Sequence, residues 1–155
     1  MEQEITTRIT TSLIVPFPTP RDKKFIYVLN AKDGKWSPPA GKINLFESFP
    51  QAGIREMAEE TQSQVIIEYL IGVYYFRSEH GTPVINFSYA TRPINGVPRP
   101  VRAENIEDIG VFDLATLRQL EREGKIRAGR VNVEQVEDYL AGKRLPPDAV
   151  KMYFS

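Results

Sequence analysis

GKINLFESFPQAGIREMAEET, residues 41–61, sets Glu47, Glu56, Glu59, Glu60 and one arginine, Arg55, among apolar residues. Ser48 can cap a helix, Pro50 is tolerated in a first turn, and QAGIREMAEET consists of helix formers apart from Gly53, so a helix is expected at about 49–61. At about 100° of rotation per residue, Glu56, Glu59 and Glu60 project within an arc of about 100°. Ile54, Met57, Ala58 and Thr61 make an apolar or neutral strip on the other side, suited to packing on a sheet. Like charges three and four positions apart repel by a few tenths of a kcal/mol in an exposed helix. The spacing by itself supports a solvated surface helix in which Arg55 pairs with Glu59.

On either side the pattern changes to strands. TTRITTSLIVP (6–16) and KFIYVLN (24–30) are β-branched or aromatic runs joined by PTPRD, which predicts a hairpin. WSPPAGKINL reads as an irregular loop entering a short extended piece, because two prolines and a glycine forbid a long helix. VIIEYLIGVYYFRS and VINFSYATR are strand-like runs split by SEHGTP, and IGVFDL predicts a shorter strand. Two helical segments close the chain: LATLRQLEREG, ended by Gly124, and VEQVEDYLAG, ended by Gly142. This order predicts a mixed sheet covered by helices.

The chain's 155 residues suit one domain with a single core. Its 20 Lys and Arg balance 20 Asp and Glu, which leaves no net field for gathering nucleic acid or anionic membrane. There is no cysteine, so disulfides and thiolate metal sites are excluded. The start MEQEITTRITTSLIVPF is acidic where a signal peptide is basic, and its apolar run is too short to span a bilayer; a cytoplasmic protein is expected.

Gly41, five residues, Glu47, seven residues, Arg55-Glu56, an apolar Met57, one residue and Glu59-Glu60 resemble the signature of the Nudix hydrolase family, and WSPPAG resembles the loop that precedes it. The resemblance implies an α+β fold, a Nudix-type α/β/α sandwich with a mixed sheet between helices, in one domain over 1–155 with the signature box at 41–63. It also implies a metal-dependent pyrophosphohydrolase that cleaves a phosphoanhydride in a nucleoside di- or triphosphate derivative or a similar small pyrophosphate. Clustered hard carboxylates suit Mg²⁺ or Mn²⁺. By position, Glu56 and Glu60 are the implied metal ligands, with Glu59 a ligand or a bridge through water, and the carbonyl of Ala40 a further donor. Glu47 and Arg55 would form a structural salt bridge. The general base would come from the box itself, as Glu59, or from the later loop, where Glu104 is preferred to Glu107. Trp36 could stack on a base or sugar or simply pack, and Lys42, like Arg8 and Lys35, could reach phosphate oxygens. Tyr74, Tyr75 and Phe76 read as core, and His80 as a solvated turn residue.

One departure stands out: Gln62-Ser63 replaces the glycine and apolar residue that end the family's pattern. With it comes the alternative of a catalytically silent Nudix-fold module that binds a nucleotide or regulates a partner. The expected partner is a small nucleotide or pyrophosphate, with a homodimer possible and neither nucleic acid nor membrane involved.

Overall fold

The computed structural model describes residues 4 and 6–154; the extreme N-terminal residues in the signal-peptide argument lie partly outside them. In chain order the elements are β1 (Arg8–Ile14), β2 (Lys24–Asn30), β3 (Lys35–Ser37), β4 (Ala40–Lys42), α1 (Phe49–Thr61), β5 (Ile67–Arg77), β6 (Pro83–Thr91), β7 (Ile106–Asp113), α2 (Leu114–Arg122) and α3 (Arg130–Leu140). A four-stranded sheet runs β4-β1-β6-β5, and a three-stranded sheet runs β3-β2-β7. The first is mixed, because β1 lies parallel to β6 while β4 and β5 are antiparallel to their neighbours. The second is antiparallel throughout.

The hairpin expected from 6–16 and 24–30 does not form as one. β1 belongs to the four-stranded sheet and β2 to the other. Only the segment after β1 crosses over: the Phe17 N–H donates to Lys24 O at 3.0 Å, and the Ile26 N–H donates to Val15 O at 3.0 Å. One continuous β-branched run thus serves both sheets. Alternation of side chains does the rest. Leu13 and Val15 enter a core with Ile26, Met57 and Tyr89, whereas Ile14 enters another with Phe25, Tyr27, Val133 and Val136. The sheets therefore lie between α1 on one side and α2 and α3 on the other, an α+β sandwich.

The acidic helix begins and ends at the expected residues but presents a different face to the core. Its buried positions are Ala52, Gly53, Met57, Glu60 and Thr61, while Ile54 and Ala58 are exposed. The strip of Ile54, Met57, Ala58 and Thr61 is thus only half right. The buried arc is rotated toward Glu60 because Gly53 lets α1 close on β1: a Cβ there would sit 2.8 Å from Leu13 Cδ2. As a result the three glutamates straddle the edge of the core instead of pointing away from it.

The helix starts with a capping box. The Gln51 N–H donates to Ser48 Oγ at 3.2 Å, and the Ser48 N–H donates to Gln51 Oε1 at 2.9 Å. It ends with Gln62 in the left-handed conformation at φ 59°, its N–H donating to Ala58 O. Gln62 takes the turn that glycine takes more easily, and Ser63 is buried in place of an apolar residue.

Candidate active site

The loop carrying Glu47 is tied to α1 through Arg55. Its Nε and Nη2 donate to the two carboxylate oxygens of Glu47 at 2.7 and 3.0 Å, and Nη2 also donates to Lys42 O at 2.8 Å. Such a two-pronged, charge-assisted pair is geometrically selective and stronger than a lone surface contact. The arginine's hydrogen bonds hold the Glu47 carboxyl below its usual range, and Glu47 in turn pushes the guanidinium above its own. Arg55 Nη1 reaches the other way, to Glu56 Oε1 at 2.9 Å and Glu59 Oε2 at 3.1 Å. Among the described residues no three acidic or imidazole groups converge at metal-ligand separation. The guanidinium stands between Glu56 and Glu59 and relieves the repulsion that their spacing creates.

Glu60 is held differently. It is 8% exposed, and one carboxylate oxygen accepts from the Ala40 N–H at 3.0 Å. Burial pushes its carboxyl up to about 8; the Ala40 N–H and the charge of Arg127 oppose this, and the charges of Glu56 and Glu104 reinforce it. Burial likewise raises Glu56, with Arg55 opposing and Glu59 and Glu104 adding to the rise. Glu56 lies directly over Gly41, where a Cβ would meet its carboxylate carbon at 2.0 Å. The glycine thus makes the space that the carboxylate fills.

The donor chemistry is of the kind a divalent cation takes. Two desolvated carboxylates, with Glu104 in their field, gain most from a hard positive charge, and their donors are the oxygens that Mg²⁺ and Mn²⁺ accept. Glu59, at 40% side-chain exposure, lies on the solvent side of the same helix. Glu104 sits in a 3-10 turn, Arg102–Glu104, and is exposed, as is Glu107 on β7.

Beside Glu60 opens a cleft of about 620 Å³. Its floor is one face of the four-stranded sheet, where the pairing sets Lys42, Thr10 and Asn86 abreast and Ala40, Ser12 and Ser88 abreast one pleat along. Gln135 of α3 closes a buried network there: it accepts from Ser12 Oγ at 3.1 Å and donates to Asn86 Oδ1 at 3.1 Å. Arg127, paired with Asp33 at 2.7 Å, stands at the wall.

Lys42 and Arg8 line this cleft, whereas Lys35 is paired with Glu79. Trp36 does not line it; the indole packs edge-on against Phe112, with ring centroids 4.9 Å apart. Phe76, expected in the core, faces the cleft instead, and His80 lies at its mouth. Sequence reasoning missed Asn30, Asp33, Arg127 and Asn132, which also line the cleft. No local spacing marks them, because they come from two stretches about a hundred residues apart, 30–33 and 127–132, that only tertiary packing unites.

The NUDIX domain family model matches residues 11–133. A NUDIX hydrolase from Nitrosomonas europaea is 25% identical, with 96% of this chain and 98% of that one covered at a TM-score of 0.81. An Ap4A hydrolase from C. elegans, solved as a binary complex, is 16% identical, with 87% and 98% covered at 0.66. The NUDIX domain of Shewanella oneidensis NrtR, solved with ADP ribose, is 18% identical, with 87% and 89% covered at 0.67. The last two show the fold alone. No curated protein matches the chain in sequence.

Proposed function

This chain belongs to the NUDIX domain family and is a hydrolase of that family, and from that premise we propose that it is a divalent-metal-dependent pyrophosphohydrolase acting on a nucleoside di- or triphosphate derivative. The observation that carries this reading is the pair Glu56 and Glu60: two carboxylates raised by burial, Glu56 packed over Gly41 and Glu60, held by the Ala40 N–H, lining a cleft of about 620 Å³. Structural neighbours that act on Ap4A or hold ADP ribose support a nucleotide-derived substrate.

Glu56, Glu60 and the Ala40 carbonyl are the groups that would hold Mg²⁺ or Mn²⁺, with Glu59 at the outer edge. When bound, such a cation neutralises pyrophosphate oxygens and acidifies water. The chain's own residues do the positioning. Arg55, fixed by Glu47, keeps the loop on α1 and aligns Glu56 and Glu59. The Ala40 N–H restrains one oxygen of Glu60 and leaves the other free. Lys42 and Arg8 offer positive charge to phosphate from the sheet floor. Glu59 or Glu104 takes the proton from the attacking water, and both lie outside the core, where a protonated product can exchange with solvent.

A panel of nucleoside di- and triphosphate derivatives tests this proposal. Hydrolysis is expected only with Mg²⁺ or Mn²⁺, and Glu60→Gln is expected to lower kcat by about 100-fold or more while circular dichroism stays unchanged. Turnover that survives both chelator and the substitution rejects it. Ligand-induced thermal stabilisation without turnover across the panel would instead identify a silent binding module. Between the two proton acceptors, the residue whose Gln variant removes the acidic limb of the pH–rate profile is the base.

A further inference from the structure

On the reading that the cleft is the substrate site, we propose that its wall selects a nucleobase bearing an amino group, through two fixed carboxamide oxygens, those of Asn30 and Asn132. Asn30 and Asn132 are only 7% and 9% exposed, and both line the cleft. Asn30 Nδ2 donates to Lys35 O at 2.9 Å and to Ser37 Oγ at 3.0 Å. Asn132 Nδ2 donates to Arg127 O at 2.5 Å. A backbone carbonyl only accepts, so each amide must direct its NH₂ to that carbonyl and keep its oxygen for something else. Neither Oδ1 meets a donor among the described residues, and neither is fully enclosed, so each oxygen keeps exposed surface on a residue that lines the cleft.

The two amides are not free to turn over. Rotating Asn30 would set its oxygen against Lys35 O, and rotating Asn132 would set its oxygen against Arg127 O; each is an acceptor facing an acceptor. Asn132 is further held through its backbone, since the Tyr27 hydroxyl donates to Asn132 O at 2.6 Å. The cleft therefore presents rigid acceptors on its wall, while Phe76 adds an aromatic side chain to its lining. Adenine, cytosine and guanine carry an exocyclic NH₂ that satisfies such acceptors. Uracil and thymine instead present carbonyl oxygens beside a single N–H, and an oxygen opposed to Oδ1 leaves both unsatisfied. A site built around hydrogen bonds rejects a ligand that cannot complete them far more strongly than an apolar pocket rejects a change of size.

The test is calorimetric titration of the intact protein with AMP, CMP and GMP against UMP and TMP, with chelator present so that binding is read without hydrolysis. The amino-bearing monophosphates are expected to bind about tenfold or more tightly than UMP and TMP. The double substitution Asn30→Leu with Asn132→Leu is expected to bring the ratio toward one; should that variant fail to fold, the wild-type ratio still decides. Equal affinities, a preference for UMP or TMP, or no binding by any of the five overturns the assignment. These results are independent of catalysis: metal-dependent hydrolysis without base preference leaves the hydrolase standing, and base preference without hydrolysis leaves the wall standing.

Discussion

At the scale of single residues, Glu60 concentrates the cost of the site. A buried carboxylate raised from 4.5 to about 8 is protonated more readily in the folded protein than in the unfolded chain. Between those two values the folded state binds more protons, so stability must fall as pH rises through that window. In chelator, denaturant unfolding from pH 4.5 to 8 is expected to show this loss. Glu60→Gln should flatten most of it, and Glu56, shifted in the same direction, accounts for a remainder. A slope unchanged by the substitution would assign the titration elsewhere. Gln62 carries a different kind of strain. Left-handed backbone costs a residue with a Cβ about 1 kcal/mol, and glycine avoids it. Gln62→Gly is therefore expected to raise unfolding stability by about 0.5–1 kcal/mol in urea melts. The missing glycine was visible in the sequence, and the structure shows why it is tolerable: the Gln62 N–H still closes the helix on Ala58 O.

At the scale of elements, α1 is a helix whose composition and caps announce it, yet whose rotation they do not. Periodicity favours burying Ile54 with Met57, but Gly53 provides a flat spot against Leu13 and Thr11 and turns the helix so that Glu60 enters the boundary of the core. Ala at that position would gain about 1 kcal/mol of helix propensity in isolation. Here a Cβ 2.8 Å from Leu13 Cδ2 forces the helix outward. Gly53→Ala is accordingly expected to destabilise by about 1–3 kcal/mol net, measured by chemical denaturation, and to lower activity because Glu56 and Glu60 move with the helix. Stabilisation by the alanine would show that the helix is not seated on β1 through this glycine. Ser48, in contrast, acts locally through its capping box, and the sequence alone identifies it.

At the scale of the molecule, the two sheets are joined by groups distant in the chain. Tyr27 of β2 is fully buried and donates to a carbonyl of α3, and the Ser12, Asn86 and Gln135 network ties β1 and β6 to the same helix. A chain so cross-linked is expected to unfold as one domain. Trp36 fluorescence and far-ultraviolet circular dichroism should give coincident urea transitions, and Tyr27→Phe should shift both together by about 1–2 kcal/mol. Separate transitions would divide the sheets into independent units. No helix among the described residues is long and apolar enough to cross a membrane.

The acidic helix, its caps, the Glu47–Arg55 spacing and the succession of strands follow from residues near one another in the chain, where periodicity, turn chemistry and motif spacing act, so the sequence alone determined them. The split of one β-branched run between two sheets, the rotation of α1, the burial of Glu60 and the assembly of Asn30, Arg127 and Asn132 into one wall depend on contacts between residues far apart in sequence. Only tertiary packing decides which of several compatible faces is desolvated, and desolvation is what turns a surface carboxylate or amide into a group with directed chemistry.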